Sequence, residues 1–303
     1  MFFSNAFTGK NEFWRYLFTI FIVAAASQLI GAIPLMIVIS IKIMQGHTIN
    51  PSNPMDFEAL GIDPNLGLFL MIFTFITGLA ALILCIKHLH KKKILSVLTG
   101  RKSFDWRRFF FAVFVWGCIM AVFTFGHSLL DPENYQLNYQ PQLFWPMVAI
   151  AVLFLPFQTS FEEILFRGYL MQAFGIATRT RWIPLIITSV IFGAMHVTNP
   201  EVKEFGIGIA LPQYIYFGFI FGLLVILDDG LELSLGVHAI NNIFLSIFVT
   251  HKSSTLQTPA IFNVQEITPT IDFLELILGG VIFLFIVSYK YNFQNWRKVF
   301  DRI

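Results

Sequence analysis

The chain has 303 residues, of which 56% are hydrophobic and 13% are charged. Soluble domains carry about 25% charged residues, and the 36 phenylalanines supply more apolar surface than an aqueous exterior tolerates. A soluble enzyme, a disordered protein and a disulfide scaffold are therefore poor interpretations, and a polytopic membrane protein is the default. The formal net charge of +2 is too small to indicate a nucleic-acid partner.

Eight apolar stretches approach the length of about 20 residues that a transmembrane helix requires. They cover residues 17–44, 66–86, 109–125, 144–166, 182–196, 207–227, 233–249 and 273–289. A shorter stretch at 168–177 either extends the fourth span or lies at the membrane interface. The first span is about twice as long as a signal-peptide core, so we expect it to be retained. We therefore predict an all-α polytopic membrane protein, with about eight transmembrane helices in one bundle and residues 1–303 as a single membrane domain.

The two cysteines, Cys85 and Cys118, lie inside apolar runs. We interpret both as small buried hydrophobic residues, because their positions indicate neither a disulfide framework nor a metal-binding pair.

Basic residues are concentrated in alternate loops, and residues 45–65 and 131–142 contain none. The second loop, the fourth loop and the C-terminal tail hold Lys87, Lys91, Lys92, Lys93, Arg101, Lys102, Arg107, Arg108, Arg179, Arg181, Lys290, Arg297, Lys298 and Arg302. Because Lys and Arg in short loops mark the cytoplasmic side, we predict a multi-pass protein with both termini in the cytoplasm, which leaves Lys203 and Lys252 outside. The abundance of Phe, Ile and Asn is typical of an AT-rich bacterial genome, which predicts a bacterial plasma membrane.

Two adjacent carboxylates, Glu162 and Glu163, lie near the end of the fourth span. Ionisable groups at membrane depth are energetically costly and tend to mark functional sites. On a helix, Glu163 and Arg167 are four residues apart and can form an ion pair, whereas Glu162 is rotated by about 100° and stays outside that pair. The alternative is that the carboxylates end the span at an interface, with Arg167 as an anchor.

Two further clusters place histidines in later spans. Phe192 and His196 end the fifth span, where a lone histidine is more often structural than catalytic. His238 and Asn242 lie four residues apart in the seventh span and share a helical face. A polar pair that holds two helices together is the alternative interpretation.

Helix length places Glu162 and His196 at a similar depth. If residues 168–177 continue the fourth helix, Glu162 lies 17 residues before a turn at Arg179, or about 25 Å. His196 lies 15 residues after that turn, or about 22 Å. His238 follows Asp229 by only nine residues, or about 13 Å, which leaves about 10 Å unexplained. A turn at 228–230 recessed below the membrane surface closes this gap.

In this order, the three clusters resemble the signature of the type II CAAX prenyl protease family, also called the CPBP or ABI family of intramembrane proteases. The family pattern is E-E-x-x-x-R, then F-x-x-x-H, then H-x-x-x-N or H-x-x-x-D. Its defining positions are occupied here by Glu162, Glu163, Arg167, Phe192, His196, His238 and Asn242. The resemblance extends over residues 144–249, which we expect to form the catalytic core. It implies a helical bundle with a water-filled cavity and hydrolysis of a peptide bond in a membrane-associated or lipidated protein or peptide.

The resemblance also implies a role for each residue. Glu162 and His196 activate the attacking water, His238 and Asn242 stabilise the oxyanion, and Glu163, Arg167 and Phe192 support them. A zinc-dependent alternative stays open, with His196, His238 and a carboxylate as ligands; if Glu162 is the base, only the two histidines remain. Catalytic zinc usually takes three protein ligands, and the chain contains no H-E-x-x-H. We therefore favour a glutamate-activated water without a cofactor.

Two other function classes compete with a peptidase. A transporter also buries ionisable residues but often shows internal repeats, and the sequence shows none. A non-catalytic membrane scaffold or a bacteriocin self-immunity protein on the same fold is the stronger alternative, although a scaffold does not need all four intact polar residues. Gln158 and its polar neighbours either line a cavity or pack helices. Gln213, Tyr214 and Tyr216 in the sixth span are candidate substrate contacts, although no spacing supports that role.

Overall fold

A computed structural model of the protein describes residues 1–49 and 56–303. Its apolar helices are Phe13–Met44 (α1), Pro64–Leu89 (α2), Trp106–Leu130 (α3), Pro141–Thr178 (α4), Trp182–Met195 (α5), Ile207–Asp228 (α6), Glu232–Phe248 (α7) and Pro269–Tyr291 (α8). Short helical turns lie at Phe3–Phe7, Leu95–Leu98, Pro200–Phe205 and Trp296–Phe300. Each predicted span corresponds to one apolar helix, and the predicted all-α polytopic membrane fold is confirmed.

Within the described residues, six of these helices are long and apolar enough to cross a membrane, whereas α5 and α7 are shorter. α5 has 14 residues and α7 has 17. Residues 168–177 continue α4, which runs for 38 residues, so they extend the fourth span. The predicted turn follows directly, since Arg179 adopts a left-handed φ of 56° and α5 begins at Trp182.

Wider, π-type turns interrupt α1 at Ala26–Gly31, α2 at Cys85–Leu89 and α4 at Ile164–Leu170. Such segments occur often at functional sites. The one in α4 begins directly after Glu163 and contains Arg167. The helix therefore changes its winding at the acidic cluster.

Glycines allow α5 and α6 to pack closely. A Cβ at Gly218 would lie 2.8 Å from the Cα of Ser189, and one at Gly193 would lie 2.4 Å from Cγ1 of Ile215. Any larger residue at these positions forces the helices apart, because interiors are close-packed. Where α5 ends, the ring of His196 stacks on Tyr214 of α6, as described below.

The turn between α6 and α7 is buried beneath the N-terminal residues and the 95–101 segment. Asp229 accepts hydrogen bonds from the backbone N–H of Phe2 at 3.0 Å and of Gly100 at 2.8 Å. The N–H of Leu231 donates to the carbonyl of Leu98 at 2.8 Å, and Leu231 is fully buried. α7 therefore begins beneath other residues at this end of the bundle.

The basic segments meet at the same end of the bundle. Arg101 forms an ion pair with Asp228 at 3.1 Å, and the N–H of Ile303 donates to the carbonyl of Arg179 at 3.1 Å. The second loop, the fourth loop and the C-terminal tail thus lie together, as their shared charge predicts.

A small sheet lies at the opposite end. It contains Tyr135–Leu137 (β1), Val249–Thr250 (β2) and Phe262–Val264 (β3), with β3 in the centre. β3 is antiparallel to β1 and parallel to β2. Strands of two or three residues are too short to produce an alternation that a sequence pattern can reveal.

Cys85 is buried, as predicted, but Cys118 is exposed. The prediction was wrong for Cys118 because α3 turns an apolar face outward, where Phe114 and Val122 are also exposed. In a membrane protein an apolar run does not separate core positions from lipid-facing ones. Both thiols are free.

Candidate active site

A cavity of about 1010 Å³ is bounded by residues from all eight apolar helices. The predicted site residues that line it are Glu162, Phe192, His196, His238 and Asn242. The other two, Glu163 and Arg167, are fully buried. The three sequence clusters therefore meet around one cavity.

α4 presents Glu162 to this cavity with 8% of the residue exposed. Its Oε1 accepts a hydrogen bond from Nε2 of Gln158 at 2.5 Å, one helical turn earlier. Its Oε2 lies 3.5 Å from Nε2 of His238 on α7. One oxygen of the carboxylate is thus bonded within its own helix, and the other faces a second helix.

The predicted ion pair between Glu163 and Arg167 is present. Nη1 of Arg167 donates to Oε1 of Glu163 at 2.8 Å, and the same oxygen lies 2.9 Å from Nδ1 of His238. Because an ionised carboxylate only accepts hydrogen bonds, Nδ1 carries the proton. The Arg167 guanidinium also lies 4.1 Å from the ring centroid of Phe192, in a cation–π contact. Glu163 therefore fixes the His238 ring and directs its Nε2 towards Glu162.

His196 follows directly after α5 and joins the site through its ring. Its Nδ1 donates to the carbonyl of Phe192 at 2.7 Å. Because a carbonyl only accepts, the neutral ring has its lone pair on Nε2. The ring stacks on Tyr214 of α6, with centroids 4.2 Å apart and planes at 17°. The hydroxyl of Tyr214 accepts a hydrogen bond from Nδ2 of Asn199 at 3.1 Å.

Asn242 connects α7 to α4. Its Nδ2 donates to Oε1 of Gln158 at 2.9 Å, and its Oδ1 accepts from Nδ2 of Asn241 at 3.2 Å. Gln158 therefore contacts both Asn242 and Glu162, so hydrogen bonds and ion pairs connect Glu162, His238, Glu163 and Arg167 directly and Asn242 through Gln158. Phe192 joins this group through its cation–π contact with Arg167, and His196 joins it through Phe192, whose ring centroid lies 4.7 Å from that of His196.

The sequence offered Gln158 and Tyr214 as cavity-lining or contact residues but did not reveal that they link the predicted site residues. Gln158 lies four residues before Glu162, and this helical spacing is a signal for one of its two hydrogen bonds. Its second bond, to Asn242, joins two helices, and so does the stacking of Tyr214 on His196. No local spacing reports such contacts.

The histidines do not complete a zinc site in the described residues, where no three His, Cys, Asp or Glu side chains are placed to hold a metal ion. Zinc in a catalytic site usually needs three protein ligands. If Glu162 is the base, only His196 and His238 remain as ligands, and in each ring the Nδ1 bond leaves Nε2 as the nitrogen open to a metal.

Comparison with known proteins supports the resemblance seen in the motifs. Residues 141–244 match the family described as type II CAAX prenyl endopeptidase Rce1-like. A Bacillus subtilis (strain 168) protein, described as uncharacterized protein YyaK, is 29% identical over 278 residues, which cover 91% of each chain. No solved structure is detectably similar. The matched segment contains all seven predicted site residues.

Proposed function

Residues 141–244 are similar to the Rce1-like type II CAAX prenyl endopeptidases, and from that premise we propose that the protein is an intramembrane endopeptidase. It hydrolyses a peptide bond in a membrane-associated or lipidated protein or peptide. The observation that carries this proposal is the meeting of Glu162, His238 and Asn242 on the wall of one cavity. A buried carboxylate beside two hydrogen-bonding groups is the arrangement that amide hydrolysis needs.

Glu162 is the general base in this mechanism. Its Oε2, which lies 3.5 Å from Nε2 of His238, takes a proton from the attacking water, while Oε1 stays bonded to Gln158. His196 assists because its Nδ1–H bond to Phe192 leaves Nε2 as an acceptor for a hydrogen of the same water. General-base catalysis of this kind contributes about 10²–10⁴-fold in rate.

Asn242 and His238 stabilise the oxyanion that forms on the scissile carbonyl. Asn242 uses one N–H on Gln158 and has a second to donate. A protonated His238 donates from Nε2, while its Nδ1 stays fixed by Glu163 and the charge of Arg167 balances that carboxylate. Removing one oxyanion donor costs about 10²–10³ in turnover.

The protein lies in a bacterial plasma membrane in this proposal, with both termini in the cytoplasm. The collection of the basic segments at one end of the bundle supports that orientation. No cofactor is required, because the base and the donors are side chains.

The proposal is tested with purified, detergent-solubilised protein and a fluorogenic peptide library that includes prenylated peptides. Wild type is compared with Glu162→Ala, each with and without a zinc chelator. We expect cleavage by wild type that the chelator leaves unchanged and that Glu162→Ala loses. Loss with chelator and recovery with Zn²⁺ contradict the metal-free mechanism. Absence of cleavage by wild type, with peptides and with lipidated peptides, contradicts the peptidase and favours a non-catalytic scaffold.

A further inference from the structure

We propose that a chain of four hydrogen bonds, from Trp116 on α3 to Glu162 on α4, fixes the position of Glu162, the base, relative to Asn242, the oxyanion donor. The side chains between them are Asn241, Asn242 and Gln158. Trp116, Asn241 and Gln158 are positioning residues, which act through Glu162 and Asn242. The inference rests on the proposed function and adds to it the groups that set its geometry.

The bonds follow one another without a break. Nε1 of Trp116 donates to Oδ1 of Asn241 at 3.2 Å, and Nδ2 of Asn241 donates to Oδ1 of Asn242 at 3.2 Å. Nδ2 of Asn242 donates to Oε1 of Gln158 at 2.9 Å, and Nε2 of Gln158 donates to Oε1 of Glu162 at 2.5 Å. The chain thus joins α3, α7 and α4 around the cavity.

The two ends of the chain fix the direction of every bond. The indole of Trp116 can only donate, and the ionised carboxylate of Glu162 can only accept. Each amide between them accepts from one neighbour and donates to the next. Turning any one amide over places N–H against N–H on one side and oxygen against oxygen on the other, so the three amides have one consistent orientation.

Burial makes this orientation energetically important. Trp116 is 4% exposed, and Gln158 and Asn241 are each 9% exposed. Hydrogen bonds in such surroundings are stronger than in water, and an unpaired polar group there is costly. The hydrogen-bond chain is therefore more rigid than a network of the same groups on the protein surface.

For catalysis, the consequence is that Glu162 and Asn242 each use one part of the side chain to bond Gln158 and keep another part for the reaction. Oε1 of Glu162 is occupied by Gln158, which leaves Oε2 for the water. Asn242 has one N–H on Gln158 and one for the oxyanion. Because the same Gln158 side chain sets both, the distance from base to oxyanion donor is fixed before substrate binds, as preorganised catalysis requires.

A role limited to helix packing predicts different results from a positioning role. Packing residues affect stability and leave the kinetics of the folded fraction unchanged. Positioning residues lower kcat with little change in KM, because substrate binding does not depend on them. Residues in one chain also show non-additive effects, since a chain already broken loses little from a second break.

The test uses Trp116→Phe, Gln158→Leu and the double variant, with Trp145→Phe as a matched control. Trp145 is an exposed tryptophan on α4, away from the cavity lining. Hydrogen bonds to charged groups contribute about 1.5–3 kcal/mol, so Gln158→Leu is expected to lower kcat by about 10- to 100-fold. Trp116→Phe lowers kcat by a smaller factor, Trp145→Phe keeps the wild-type value, and KM stays within about twofold in all of them.

The double variant decides whether the residues act as one chain. We expect its kcat to equal that of Gln158→Leu, because the bond next to Glu162 is already lost. Multiplied losses in the double variant, or a wild-type kcat in both single variants, overturn the proposal. If Gln158→Leu fails to elute as folded protein, Gln158→Met takes its place with the same expected result. Failure of the chain leaves cleavage by wild type and its loss in Glu162→Ala intact, whereas failure of the proposed function removes both.

Discussion

Replacing Arg167 with methionine is expected to lower the free energy of unfolding by about 3–5 kcal/mol, the usual cost of stranding one partner of a buried ion pair. Arg167 and Glu163 are both fully buried and are joined at 2.8 Å. Methionine suits the space among the rings of Phe166, Phe192 and Phe221, which surround the guanidinium. The loss therefore reflects a buried Glu163 carboxylate that keeps its hydrogen bond to His238 but has lost its charge partner, rather than an empty cavity.

A second substitution separates charge from packing. Glu163→Gln in the Arg167→Met background removes the stranded charge and is expected to recover at least about 1 kcal/mol. The free energy is measured by titrating detergent micelles with SDS and following tryptophan fluorescence, with the exposed arginine variant Arg107→Met as a control that changes by less than about 0.5 kcal/mol. An Arg167→Met protein as stable as that control refutes the reasoning, and so does a double variant less stable than the single one.

Three further results are expected. Burial lowers the pKa of His251 to about 4, and its Nδ1 accepts a hydrogen bond from the N–H of Ser253 at 3.3 Å. The unfolded chain therefore binds a proton below about pH 6.5 that the folded protein does not bind. As a result, the free energy of unfolding falls as the pH is lowered from about 6.5 to 4. The variant His251→Asn, which keeps a hydrogen-bond acceptor, is expected to flatten that slope when unfolding is measured at a series of pH values. Tyr214→Leu removes the ring stacked on His196 and is expected to lower kcat in the peptide assay several-fold, whereas Tyr214→Phe keeps the ring and most of the activity; equal losses contradict a stacking role. Among the described residues, the cavity lining contains no Lys or Arg and has four carboxylates: Glu162, Glu201, Asp272 and Glu275. Peptides with Lys beside the cleaved bond are therefore expected to show a higher kcat/KM than matched peptides with Glu, by a factor that shrinks with added salt, and the opposite preference contradicts this charge argument.

The helices and one ion pair were predictable because their signals are local. The apolar runs predicted eight helices, which lie at the expected places, although α5 and α7 are shorter than a membrane span. The spacing of four between Glu163 and Arg167 gave their ion pair, since such residues are neighbours on a helix. Helix rise left about 10 Å of the depth of His238 unexplained, and a turn at 228–230 recessed below the membrane surface, which closes that gap, stays a prediction.

The contacts between helices were not predictable from spacing. His238 approaches Glu162 from a helix 76 positions further along the chain, and Gln158 meets Asn242 across 84 positions. Only the resemblance to a known family grouped Glu162, His238 and Asn242, and the family pattern does not include Gln158. The outward position of Cys118 was missed for a related reason, because lipid-facing and core positions are equally apolar.

The catalytic role of Glu162 is the central claim, and turnover by Glu162→Gln tests it most directly. The substitution keeps the size of the side chain and removes only its ability to take a proton from water. On a peptide that wild type cleaves, we expect kcat to fall by about 10²–10⁴-fold, with KM retained and an unchanged unfolding midpoint. A folded Glu162→Gln protein that cleaves the peptide at the wild-type rate contradicts the account.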